Sequence, residues 1–136
     1  MVNQQFTFAV HIMTALAFSN EVMDSKTLAA SVNTNPVVVR RILLALRRAK
    51  LVETFAGTHG GAKLRKKPGQ ISLVEIYDAV EPRPVIAINQ RKAWRHCDVS
   101  CHMKAIMSSV AKSTDEAVRK HLRRITLKQL VEKVAG

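Results

Sequence analysis

Cys97 and Cys101 are spaced C-x3-C and flanked by His96 and His102, which gathers two thiols and two imidazoles within seven residues. Donors of these types can hold zinc, hold an iron–sulfur cluster, or sense oxidants. Four donors packed so closely form no familiar zinc-chelating spacing, and clusters rest mainly on thiolates, of which the chain has only these two. The expectation is therefore no metal and no cofactor, with a Cys/His-held iron–sulfur cluster kept as an open alternative. As thiols alone, Cys97 and Cys101 form a candidate redox sensor or are ordinary cysteines. Cys97, expected at the start of a helix with Arg95 beside it, is the more reactive candidate. The glycine-rich run Gly57-Thr58-His59-Gly60-Gly61 lacks the Gly-Lys-Ser/Thr ending of a phosphate loop. No Ser/His/Asp set and no paired carboxylates stand out among ten acidic residues, so an enzyme is not expected.

What remains is positive charge. The 136 residues carry 22 Lys and Arg against 10 Asp and Glu, a formal net charge of +12. Such a surface accumulates polyanions. The charge is also concentrated: residues 36–70 hold nine bases and a single acid, Glu53. Residues 1–35 hold one Lys and two acids, residues 71–103 four of each, and residues 104–136 eight bases and three acids. A neutral start, a strongly basic second quarter and a basic tail suit a docking face on a scaffold. The 47% hydrophobic content is enough for a core, and the length fits one compact domain with a short extension. Free thiols suit the cytosol. The first 20 residues carry no acid or base, yet Asn3, Gln4, Gln5, Thr7, His11 and Thr14 interrupt them, unlike a signal peptide or membrane span. A cytoplasmic, non-membrane protein is expected.

The elements that must position this charge follow from apolar spacing. Phe6, Ala9, Val10, Met13, Leu16 and Ala17 recur at steps of three and four, predicting a helix over about 4–18. Ser25 is expected to cap a short helix covering Leu28, Ala29 and Val32. Asn35 suits an N-cap and Pro36 the first helical position, where the missing N–H is not needed. That helix runs to about Ala49 with Val39, Ile42, Leu43 and Leu46 on one face. Two short β-capable runs, 52–56 and 62–65, flank the glycine-rich turn and predict a hairpin. A helix at about 72–80 with Ser72 as its cap is expected to close at Pro82 and Pro84. An irregular linker at 82–95 precedes a long helix from about Asp98 to Arg124. Thr126 and Gln129 have capping-box spacing and open a last short helix. Met13, Met103 and Met107 read as core or dimer interface, and His11 and His121 as packing or surface residues.

Two helices joined by Asn33-Thr34-Asn35, the second opening on Pro36 and followed by a basic hairpin, make a winged helix-turn-helix. The fold class is mostly α with a small β-hairpin wing and a long C-terminal helix. The major groove of B-DNA admits one α-helix, whose N-terminal residues meet the base edges. Arg40 and Arg41 sit in its first two turns, while Lys63, Arg65, Lys66 and Lys67 lie on or just after the hairpin. Gly60 and Gly61 are expected to let the hairpin approach phosphates without Cβ clashes. The rival reading is a winged helix that binds protein without specific DNA binding. The division expected is a DNA-binding domain at 1–81, a linker or sensor loop at 82–97, and a dimerisation helix plus C-terminal helix at 98–136. Apolar positions beyond what a small winged helix can bury predict a homodimer.

Four runs carry a family resemblance: Leu28 to Pro36 (LAASVNTNP), Leu46 to Val52 (LRRAKLV), Gly57 to Leu64 (GTHGGAKL) and Ile71 to Ile76 (ISLVEI). Together they resemble the Rrf2 family of bacterial winged-helix repressors, the group of IscR, NsrR and CymR. The segment SVNTNPVVVRR is most similar to its YwnA-like subgroup. The resemblance implies a repressor that binds a palindromic operator as a dimer, with the long helix crossing to the partner. By position it places Asn35, Val37, Val38, Arg40 and Arg41 in the major groove. It places the wing at 58–63, with Thr58, His59 and Lys63, on the minor groove or backbone. Two positions depart from the pattern. Ala56 stands where many relatives have an arginine before the first wing glycine, and Ala62 where they often have an aromatic. The wing is therefore expected to bind more through Lys63 and Arg65.

Overall fold

The computed structural model describes residues 4–81 and 83–136. Helix α1 (Gln5–Ser19) buries Ala9, Ile12, Met13 and Leu16 and stops where Asn20 turns left-handed at φ 54°. Helix α2 (Ser25–Val32) is capped by Asp24, whose carboxylate accepts the Thr27 N–H at 2.7 Å. Ser25, expected to be the cap, is instead the first helical residue. Asp24 has the extended backbone a cap requires, and a carboxylate is the stronger acceptor at a helix N-terminus. That hydrogen bond with Thr27 holds the Asp24 carboxyl below its ordinary range.

Asn33, left-handed at φ 66°, ends α2 and starts the turn. Helix α3 (Pro36–Arg48) begins as its sequence reads: the Asn35 side chain accepts the Val37 N–H at 2.8 Å and Pro36 fills the first position. Strands β1 (Val52–Phe55) and β2 (Gly61–Leu64) pair antiparallel, with Val52 opposite Leu64 and Phe55 opposite Gly61. The hairpin is anchored through β2. Met23 and Ala62 exchange two backbone hydrogen bonds of 2.9 Å, tying the loop before α2 to β2. This close approach is what the paired glycines serve. A Cβ on Gly60 would fall on the Phe55 carbonyl oxygen, and one on Gly61 on the Met23 carbonyl oxygen. The clash they avoid lies within the protein's own backbone. Ala62 itself is fully buried, which suits a small residue at that position.

A turn of 3-10 helix at Pro68–Gln70, not foreseen from the sequence, leads to α4 (Leu73–Val80). There the Glu75 side chain accepts the Ser72 N–H at 3.1 Å, half of a capping box. Pro82 lies outside the described residues, and 83–97 follow an irregular path with Pro84 within it. Helix α5 (Asp98–Arg123) comes next, and α6 (Leu127–Ala135) opens on a second capping box, Thr126 with Gln129.

One core joins these pieces. Leu28, Val39, Ile42, Leu46 and Ile76 pack with Ile12, Met13 and Leu16, and Leu127 is buried in the same cluster. The start of α6 is zipped to the start of α4: Leu73 N–H donates to the Ile125 carbonyl and Leu127 N–H to the Ile71 carbonyl, each at 2.9 Å. Both ends of the chain therefore share the core. No polar or charged side chain is buried among the described residues. Helix α5 touches this body mainly through α4, where Arg119 forms a two-pronged ion pair with Asp78, and the bond holds the guanidinium pKa up. Beside it Tyr77 meets Phe6 edge-on at 5.3 Å, and burial, then Asp115, pushes its hydroxyl pKa up. The architecture is a winged helix-turn-helix with a long C-terminal helix.

Candidate nucleic-acid interface

Helix α3 divides its surface cleanly. Val39, Ile42, Leu43 and Leu46 are buried, and the opposite face is solvent-exposed. At about 100° per residue, Val37 and Leu44 form the crest of that face. They are 52% and 40% exposed. Arg40 and Arg47 flank the crest on one side, Arg41 and Arg48 on the other, each pair seven residues and so two turns apart. All four arginines are exposed. An apolar crest between two guanidinium rows matches a groove: methyl groups and base edges on its floor, phosphates along both walls.

Arg40 and Arg47 also line a shallow cleft between α3 and the wing, shared with Leu44, Phe55 and Gly57. Arg47 donates to the Thr54 hydroxyl at 3.4 Å, which steadies it toward the hairpin. On the wing, Lys63 lies over the Phe55 ring at 5.7 Å, and Thr58, His59 and Arg65 are exposed. Lys66 is placed differently. Its ammonium bonds the Glu75 carboxylate at 3.0 Å, so it is tied to the start of α4 rather than held free beside the wing. Val38 is half-buried against the core, and Asn35 spends its side chain on the α3 cap while remaining exposed. Arg47, Leu44 and Phe55 were not singled out from the sequence as site residues. Arg47 was nonetheless findable, seven residues on from Arg40. Phe55 was not, because only the hairpin register aims it at the cleft.

Cys97 is the N-cap of α5, its sulfur accepting the Ser100 N–H at 3.5 Å. Cys101 is exposed, with its thiol 3.7 Å from the Trp94 carbonyl oxygen. His102 turns back so that Nδ1 donates to the Asp98 carbonyl at 2.6 Å, and the His96 ring meets Trp94 edge-on. The four side chains point to separate local partners. Among the described residues no group of three or more His, Cys, Asp and Glu gathers that could hold a metal ion. No helix among them is long and apolar enough to cross a membrane.

Comparison with known proteins bears on this geometry. The Rrf2 family, described as iron-dependent transcriptional regulators, matches residues 2–133. The chain is 32% identical over 131 residues to YwnA of Bacillus subtilis (strain 168), provisionally named an HTH-type transcriptional regulator, covering 96% of this chain and 97% of that one. A solved structure provisionally described as a DNA binding protein is 32% identical, with a TM-score of 0.75 over 93% of this chain and 97% of its own. A Lactobacillus plantarum protein, provisionally described as a transcriptional regulator, shares the fold at 22% identity, with a TM-score of 0.83 over 97% of this chain and 90% of its own. The family's description names iron, and among the described residues no group of three or more His, Cys, Asp and Glu gathers to hold it. Two thiols one turn apart supply fewer thiolates than such clusters mainly use. The fold, the two arginine rows and the match along nearly the whole length agree, and the chain belongs to the Rrf2 family of transcriptional regulators.

Proposed function

We propose that this regulator binds a palindromic operator in double-stranded DNA as a homodimer and acts as a repressor. Helix α3 enters the major groove and the wing lies along the adjacent backbone or minor groove. The observation that carries this reading is the exposed face of α3, with Val37 and Leu44 between the Arg40–Arg47 and Arg41–Arg48 rows. Base readout falls to Arg40, Arg41 and the apolar crest, while Lys63 and Arg65 supply phosphate contacts from the wing. Dimerisation is supported by α5, whose amino-terminal half leaves Val99, Met103, Ile106 and Val110 exposed in one stripe. A dimer suits the operator because two-fold protein symmetry reads two half-sites about one helical turn apart.

The test is capture and sequencing of genomic fragments bound by the purified protein, followed by a salt series on the best fragment. A shared inverted repeat is expected, with log affinity falling linearly in log salt at a slope of about −0.9 per phosphate neutralised. Transcription from a promoter overlapping the repeat should drop as protein is added. Capture of unrelated fragments with equal affinity would favour a winged helix that serves protein contacts instead.

A further inference from the structure

The linker does not hang free of α5. Trp94 N–H donates to the Ser100 hydroxyl at 2.7 Å, and the Trp94 carbonyl accepts the Cys97 N–H at 3.0 Å. Arg91 N–H is bonded to the Asn89 side chain at 3.0 Å, which folds the strap into a turn. Between this strap, 87–93, and the first turns of α5 lies a cavity of about 680 Å³, within the size range of small-ligand sites. Its walls are of two kinds. Arg91, Lys92 and Lys104 bring three positive charges, and no Asp or Glu lines it. None of the three makes an ion pair among the described residues. Ile88, Met103 and Met107 supply an apolar wall beside them. The nearest acid on the helix, Asp98, falls on roughly the opposite side of α5 from Lys104 and Met107.

We propose that this cavity binds a small organic anion with an apolar body, and that the bound anion regulates the protein. A carboxylate or sulfonate would neutralise three like charges held together without counter-charge, which otherwise repel one another. The body would cover the exposed methionine and isoleucine surface, Met side chains adapting to its shape. In the proposed dimer the site lies beside the seam rather than within it. Ser100, Lys104 and Met107 lie about a quarter turn around α5 from the stripe of Val99, Ile106 and Val110, with Met103 at the border. Because the anion joins the linker to the amino-terminal half of α5, occupancy fixes how that helix leaves the winged domain. Effect on DNA rests on the proposed dimeric repressor, whereas binding of the anion does not.

The chain has one tryptophan, Trp94, which follows the strap directly and is bonded through its backbone N–H to Ser100 of the cavity wall, so its fluorescence reports the site without labelling. Full-length protein is titrated with hexanoate, with hexanol as the body without charge and inorganic phosphate as charge without body. A saturable change is expected with hexanoate at concentrations about tenfold below either control. Arg91→Ala and Lys104→Ala should each weaken it about tenfold, while Arg40→Ala and Arg41→Ala, which remove cations of the DNA face, should leave it unchanged. All four positions are exposed, so the variants are expected to fold. No saturable response to hexanoate, equal response to a control, or unchanged affinity in Arg91→Ala and Lys104→Ala would overturn the site. A second reading is operator affinity with and without hexanoate. A shift in wild type that Lys104→Ala abolishes supports regulation, and saturable binding with no shift overturns the regulatory half alone.

Discussion

Helices α3 and α5 are both amphipathic, yet they dispose of their apolar stripes in opposite ways. In α3 the stripe of Val39, Ile42, Leu43 and Leu46 is consumed by the protein's own core, and what faces out is two rows of arginine around a narrow crest. In α5 no residue is fully buried across 26 residues, and Val99 and Ile106 are 65% and 51% exposed. The carboxy-terminal half of α5 leans on α4 through Arg119 and Asp78, while the amino-terminal half is bonded to the linker at Trp94. The lesson is that exposed surface announces its partner by type. A helix with satisfied apolar contacts and stranded cations calls for a polyanion, and a helix with stranded apolar contacts calls for another apolar surface.

The contrast can be broken most forcefully at α5. Ile106→Glu combined with Val110→Glu places two carboxylates in the proposed seam, where an unpaired buried charge costs several kcal/mol, on the order of a hundredfold or more in association. Sedimentation should then show a monomer, with secondary structure retained in circular dichroism. Native sedimentation at the wild-type mass would sink the seam.

A matched pair of deletions sharpens the comparison. Ile42→Ala removes a core contact and should cost about 2–5 kcal/mol of folding stability in urea melts. Ile106→Ala, the same chemical change on the exposed stripe, should leave the monomer within about 0.5 kcal/mol and act instead on dimer dissociation. Equal losses from both would mean that α5 is packed against its own domain.

On the α3 face, Arg40→Ala and Arg41→Ala should each weaken operator binding by about 1–3 kcal/mol if the lost contact is a bidentate base contact. Lys66→Ala should do less, because Glu75 already holds that ammonium. Fluorescence anisotropy at fixed salt reads all three. A Lys66→Ala loss as large as those of the arginines would show that its ion pair opens to reach DNA.

The smallest effects lie at the caps of α3 and α2. Asn35→Ala should destabilise the fold by about 1 kcal/mol in chemical denaturation. For Asp24 the effect depends on pH. Its folded pKa lies below the unfolded one, so the stability it adds is present above the ordinary carboxylate pKa and is lost as pH falls through the folded value. The gap in melting temperature between wild type and Asp24→Ala should therefore be widest near neutrality and shrink as pH falls below the ordinary carboxylate range. A constant gap would mean that the cap acts without its charge.

Much of this molecule is written locally. Asn35 and Pro36, Ser72 and Glu75, and Thr126 and Gln129 set three helix starts because a cap needs partners only two or three residues away. The apolar period gave the helices, the glycine-rich run gave the turn between the strands, and the concentration of bases in 36–70 marked the face proposed to meet DNA. The choice of Asp24 over Ser25 was also local, but both residue types can cap and only backbone geometry separates them. Tertiary structure alone decided what depends on chain path. Met23 meets Ala62 along the outer edge of the wing, Arg119 meets Asp78 from 41 residues away, and Lys66 is drawn from the wing to α4. It also folded the linker onto α5 to enclose a cationic cavity whose strap and helix residues show no common pattern in the sequence. The physical reason is range. A cap or a helical stripe is fixed by neighbours within one turn, whereas a contact between distant segments exists only after burial of the shared core has brought those segments together.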